Sequence, residues 1–89
     1  MKRAIIRIEG RVQGVFFRHS ARICAEKLGI TGQAGNEDDS SVTITAEGEE
    51  AALAELVEWC KKGPPLASVE KIDTEWQEAT GEFKGFEII

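Results

Sequence analysis

Among its 89 residues the sequence has a single histidine, His19, and two cysteines, Cys24 and Cys60. There is no CxxC pair and no His/Cys cluster, so the ligand set of a zinc site is lacking and no metal or other cofactor is expected. The acidic string EDDSS at 37–41 lacks the D-x-D-x-D-G pattern of a calcium loop and reads as a solvated hairpin turn. No apolar run approaches the roughly 18 residues that would cross a bilayer. The N-terminal stretch MKRAIIRIEG is cut by Arg7 and Glu9, so it does not read as a signal peptide, and a cytoplasmic protein with no membrane partner is the default expectation. Repeats, linkers and low-complexity segments are also missing, which leaves one small domain over residues 1–89.

Positive charge is scarce overall and unevenly placed. The formal net charge is −5, a poor basis for general nucleic-acid binding, because that affinity comes mainly from neutralising many phosphates. Residues 1–27 nevertheless hold seven of the eleven Lys and Arg and only two of the sixteen acids, a net of +5. A local basic site on an acidic body suits a small anion.

Residues 4–9, AIIRIE, are rich in β-branched side chains and predict a strand. From Phe17 the apolar residues Phe17, Ala21, Cys24 and Leu28 recur at helical spacing, with Lys27 in the last turn and Gly29 at the cap. Residues 30–37 predict a weaker strand, and VTITA at 42–46 alternates as a half-buried one, with Val42, Ile44 and Ala46 inward. A helix follows over EGEEAALAELVEWCKKG, its inner stripe Leu53, Leu56, Val57 and Cys60. Acids lie at its positive end, lysines at its negative end, and Gly63-Pro64-Pro65 stops it. Residues 67–76 predict a fourth strand whose alternation slips between Val69 and Ile72, the mark of a bulge. FKGFEII closes the chain as a short strand.

The order β-α-β-β-α-β with an added C-terminal strand is a split β-α-β arrangement of the ferredoxin-like α+β class, with two helices on one face of an antiparallel sheet. In that arrangement Cys24 and Cys60 lie about 10 Å apart along the helix axes, beyond disulfide reach, so two free thiols are expected.

The short stretch GRVQGVFFRHS, residues 10–20, carries the chemistry. A glycine-containing loop between strand and helix can curl its backbone amides inward beside a helix N-terminus and bind an oxyanion. Arg18 at the helix start adds a planar fork that matches two phosphate oxygens. The loop has neither the GK[ST] ending of a Walker loop nor the GxGxxG pattern, and glycine spacing alone leaves an ordinary connection open.

The pattern Gly10-x-Val12-Gln13-Gly14-Val15-x-Phe17-Arg18 resembles the signature loop of the acylphosphatase family at seven positions of fixed spacing. The stretch LGITGQAGNEDDSSVTITAEGE resembles that family's second region, a strand carrying an asparagine and then a hairpin, and the likeness extends over essentially the whole chain. The resemblance implies hydrolysis of the carboxyl–phosphate bond of small acyl phosphates, giving a carboxylate and inorganic phosphate. It implies phosphate binding by Arg18 and the backbone amides of Gln13, Gly14, Val15, Phe16, Phe17 and Arg18, and an attacking water oriented by Asn36. The chemistry is consistent with that division. A carboxamide is no base and can only orient a water, while a carboxylate leaving group, whose conjugate acid has a pKa of roughly 4, needs no general acid.

Several residues depart from the family pattern. Gln33 stands where an aromatic residue is usual, Ala34 replaces a bulkier side chain, and Gly35 replaces a longer one. Ser40 takes a turn position usually held by glycine. Gly35 is expected to loosen the backbone beside Asn36, and Ser40 to strain a left-handed turn. Phe16 and Phe17 read together as core packing, and His19 as a solvated residue. Two other readings remain open at this stage: a non-catalytic phosphate-binding module on the same fold, and an RNA-binding domain suggested by KGFEII at 84–89. A monomer is expected from the size and from the lack of an exposed apolar stripe.

Overall fold

The strictly alternating apolar positions of the sequence become the inner face of a five-stranded sheet. The computed structural model describes residues 1–89. β1 (Lys2–Arg11) lies antiparallel to β3 (Val42–Gly48) in a register that places Ala4 opposite Ala46, Ile6 opposite Ile44 and Ile8 opposite Val42. All six side chains are fully buried. Directly opposed pairs are the unit of sheet stabilisation, and each buried isoleucine adds about 1.5–3 kcal/mol of hydrophobic stabilisation.

The elements follow in the predicted order: β1, α1 (Phe17–Lys27), β2 (Thr31–Asn36), β3, α2 (Glu50–Lys62), β4 (Ser68–Glu78) and β5 (Phe86–Ile88). The strand order is β4-β1-β3-β2-β5. The first four strands in this order are antiparallel to their neighbours. Both helices contribute to the core that forms on the inner face: Phe17, Ala21 and Ala25 from α1, and Leu53, Leu56 and Cys60 from α2. This is the ferredoxin-like arrangement.

Three details refine the reading from sequence. In α1 the inward residue after Ala21 is Ala25, while Cys24 and Leu28 are only half-buried. Alanines one turn apart keep that face flat, and Cys24 turns instead towards α2, where it borders Trp59. The bulge in β4 lies where the alternation slips. Glu9 pairs with Lys71 and Gly10 with Val69, leaving Glu70 as the extra residue, and such bulges bend a strand and sharpen its twist. β5, by contrast, is parallel to β2, with Gly32 opposite Phe86 and Ala34 opposite Ile88. To reach β2 the chain leaves β4 at one edge of the sheet and crosses to the other, so the sheet is antiparallel except at this last pair.

That crossing is fastened by an internal charge. Glu47, only 3% exposed, accepts hydrogen bonds from the amides of Thr80 (2.9 Å) and Gly81 (2.9 Å), the Thr80 hydroxyl (3.1 Å) and Arg3 Nε (2.7 Å). Arg3 also pairs with Glu82 and lies over the Phe83 ring, 5.4 Å from its centroid. Burial works to raise the Glu47 carboxyl, but the two amides, the hydroxyl and Arg3 outweigh it and hold the group down at about 2. Neither cysteine is in a disulfide, and burial pushes the Cys60 thiol well up. No helix is long and apolar enough to cross a membrane.

Candidate active site

The loop from β1 to α1 is shaped by two buried valines and the residues between and beyond them. Val12 (1% exposed) and Val15 (5%) insert into the core, so the intervening chain must arch outward. The arch uses backbone angles of alternating sign: Gly14 has φ +74° and Phe16 φ +65°, while Gln13, Val15 and Phe17 keep negative values. Gly14 reaches its angle without a Cβ penalty. A backbone that alternates in this way turns successive N–H groups to one side and forms an anion-binding concavity.

The amides of that concavity are unused by the protein. None from Gly14 to His19 donates to a protein acceptor, and the first helical bond of α1 runs from Ser20 N to Phe16 O (3.0 Å). The helix start has no side-chain cap and no acid in its first turn. Its positive end therefore adds to the potential of the loop.

Arg18 rises from the first turn of α1. It takes part in none of the protein's eight ion pairs. Its one protein acceptor is the main-chain oxygen of Ile89, 2.9 Å from Nη1, which leaves the remaining guanidinium donors available. Asn36, the last residue of β2, lines the same cavity as Arg18, a hollow of about 270 Å³ also bordered by Gly14, Phe16, His19 and Ile88. The structure thus brings together Arg18, Asn36 and the loop backbone, which lie far apart in sequence. A larger hollow of about 510 Å³ between α1 and α2, around Cys24, Leu28 and Trp59, has mostly apolar walls and lies away from the free amides. Nowhere in the fold do three His, Cys, Asp or Glu side chains gather in a way that could hold a metal ion.

Phe16 and Phe17 do not share a role. Phe17 is core, 2% exposed and edge-on to Trp59 at 5.3 Å between ring centroids. Phe16 is 71% exposed, because its left-handed backbone turns the side chain out of the arch. Its reading as core is corrected. His19 is exposed, as expected, yet it borders the cavity. Phe86, the aromatic residue of KGFEII, is 4% exposed and packs in the core, so no base can stack on it and the RNA reading loses its support.

Two fasteners were invisible in the sequence pattern. The Gln13 side-chain amide donates to the carbonyls of Glu37 and Ser41, each at 2.9 Å, and ties the loop to the hairpin that follows Asn36. Ile89 extends β5 by donating its N–H to Ala34 O (2.9 Å), and its side chain roofs Gly35. A Cβ at residue 35 would come within 2.8 Å of Ile89 Cγ1. Gly35 is therefore a point of close approach, buried between β3 and Ile89, rather than the loose joint expected. Ser40 does adopt the left-handed conformation (φ +78°). Its turn is braced by Asp39, whose Oδ1 accepts from the Ser41 hydroxyl (2.6 Å) and amide (3.1 Å) while Oδ2 pairs with Arg7. The Ser41 hydroxyl and amide, with Arg7 behind them, hold the Asp39 carboxyl at about 2.

Comparison with known proteins agrees with this geometry. The acylphosphatase family model matches residues 4–88. An acylphosphatase of Thiobacillus denitrificans is 51% identical, over 98% of this chain and 96% of its own. One from Roseiflexus sp. is 47% identical over 100% of this chain and 96% of its own. The crystal structure of acylphosphatase from Bacillus subtilis superposes with a TM-score of 0.96 at 37% identity, covering 100% of this chain and 99% of that one. A family model that spans nearly every residue, and relatives that match from end to end, show that the chain belongs to the acylphosphatase family.

Proposed function

We propose that the protein is an acylphosphatase that cleaves the carboxyl–phosphate bond of small acyl phosphates without a metal. The observation that carries this reading is the pairing of Arg18, free of any side-chain carboxylate partner, with a run of loop amides that have no protein acceptor. The family's activity supports it.

In this reading the phosphoryl group sits in the arch of Gln13–Arg18, its oxygens held by the amides and by the open edge of the Arg18 guanidinium. Phosphoryl transfer depends chiefly on positioning and on stabilising charge on the equatorial oxygens, and these fixed donors supply both. Asn36 orients a water by hydrogen bonding. The water oxygen attacks phosphorus as the bond from phosphorus to the acyl oxygen breaks, and that electron pair leaves on the carboxylate. One water proton passes to a phosphoryl oxygen. The products are a carboxylate and inorganic phosphate, and no general acid is required because the leaving group is stable as an anion at neutral pH. The Gln13 side chain holds the loop and the Asn36 hairpin in one register. The protein acts as a cytoplasmic monomer in this reading, with the acyl phosphate as its only partner.

The test is hydrolysis of acetyl phosphate with chelator present, for the wild type, Arg18→Ala and Asn36→Ala. Asn36→Ala should lower kcat about a hundredfold or more and leave the inhibition constant of inorganic phosphate nearly unchanged. A wild type that binds phosphate but hydrolyses no faster than buffer would overturn the enzyme reading in favour of a phosphate-binding module.

A further inference from the structure

His19 does nothing for the fold. Its side chain is exposed and takes part in no ion pair and no hydrogen bond of the protein. Yet it borders the cavity that holds Arg18 and Asn36. It lies in the first turn of α1, where no side chain caps the positive end of the helix and no acid offsets it. Adjacent residues of a helix point about 100° apart, so Arg18 and His19 come to the cavity from two directions. No carboxylate faces them there. The loop contributes Gly14 and Phe16, β2 contributes Asn36 and β5 contributes Ile88, while α2 contributes nothing. Glu37 and Glu87, the acids next to Asn36 and Ile88 in sequence, do not line the cavity. Arg22, one turn further along α1, is paired with Glu26.

Resting on the acylphosphatase reading above, we infer that His19 is a second side-chain ligand of the bound phosphoryl group, engaged when its imidazole carries a proton. A neutral imidazole offers one N–H donor; the protonated ring offers two and a full positive charge. Histidine is the side chain whose ordinary charge change falls between about pH 5 and 8. The loop amides and Arg18 keep their charge across that range, so His19 makes the pull of the site on a dianion adjustable. Proton and dianion favour each other's binding by the same factor. The proton comes from solvent, and no covalent bond is made or broken. Other titrating groups stay clear of this coupling. The α-amino group of Met1 precedes β1, at the end opposite the loop, and burial raises both cysteine thiols.

The experiment uses sulfate as the probe, because it stays a dianion throughout the range and adds no titration of its own. His19 is the only histidine, so its ring signals can be followed by NMR against pH without and with saturating sulfate. Sulfate should move the midpoint up by about half a pH unit. By linkage the wild-type Kd for sulfate should then tighten about threefold from about pH 8 to pH 5.5. His19→Gln should hold one weak affinity across the range, and His19→Lys, charged throughout, one tight affinity. A merely structural role for His19 would not produce opposite, pH-flat affinities in the two variants. A midpoint that moves by less than about 0.2, or a Kd in His19→Gln that still tightens like the wild type, would overturn the inference. Acetyl phosphate hydrolysis by the wild type is measured alongside, and if it is present the acylphosphatase reading survives that failure. Absence of sulfate binding overturns the inference as well; absence of both sulfate binding and hydrolysis overturns the reading beneath it too.

Discussion

The protein contains two arginines set among amides and hydroxyls, at different ends of the sheet, and they are used differently. Arg3 is saturated. It bonds Glu47 and Glu82, donates to the Thr80 hydroxyl (2.9 Å) and covers Phe83. Around it two amides and a hydroxyl converge on the same buried carboxylate. Arg18 sits beside a longer row of amides, yet no side-chain carboxylate of the chain reaches it. The recognition chemistry is the same: an arginine and backbone N–H groups aimed at an anion. At one end the chain supplies its own anion, Glu47, and obtains a clamp for the 79–82 crossing. At the other end it withholds one, and the donors stay available for a ligand. The two arginines differ here in what the rest of the chain offers them, and not in local composition.

That contrast can be broken from either side. The largest effect is expected from Arg18→Ala, which should lower kcat/KM for acyl phosphate hydrolysis about a thousandfold while circular dichroism and thermal midpoint stay near wild type. A comparable drop in stability would mean that Arg18 is structural after all. Glu47→Gln should do the reverse. Removing one partner of a buried pair costs on the order of 3 kcal/mol, enough to lower the Tm by more than about 10 °C in a domain of this size, with hydrolysis below the new midpoint retained.

The same clamp sets a pH dependence. The folded-state carboxyl of Glu47 lies at about 2, below the value of about 4.3 expected in the unfolded chain. Its stabilisation is fully present above the unfolded value and is lost as pH falls through the folded one. The Tm difference between wild type and Glu47→Gln should therefore narrow from pH 5 to pH 2, and a constant difference would contradict the clamp. A smaller change is expected from Gln13→Ala. It cuts the ties to Glu37 and Ser41 and should cost about tenfold in kcat through a misplaced Asn36, with phosphate inhibition less affected. The smallest concerns backbone strain. Ser40→Gly removes a Cβ from a left-handed position and should raise stability by about 0.5–1 kcal/mol, read as a few degrees in Tm.

Legibility in the sequence followed the range of the forces involved. The seven-position likeness to the acylphosphatase loop pointed to Arg18 and its amides, whereas glycine spacing alone left an ordinary connection open. The left-handed angle at Ser40 was expected because the family likeness puts glycine at that turn, and the β4 bulge was legible because a slip in alternation marks the extra residue. Phe16 was not. Side by side, Phe16 and Phe17 look alike, and only the sign of φ at residue 16 sends one ring outward and the other against Trp59. Gly35 was read as a loose joint because the sequence cannot show that Ile89, fifty-four residues later, rests on it.

The sequence by itself determined the secondary elements and their order, since periodicity, caps and turn residues act over a few positions. Only the tertiary structure decided which charges were consumed and which were left available. It took a sheet of order β4-β1-β3-β2-β5 to carry Asn36 to Arg18, to bring Ile89 onto Gly35 and to seat Thr80 and Gly81 on Glu47. Those meetings join residues 18 to 54 positions apart, and the closing of such long loops is fixed by the packing of the whole core.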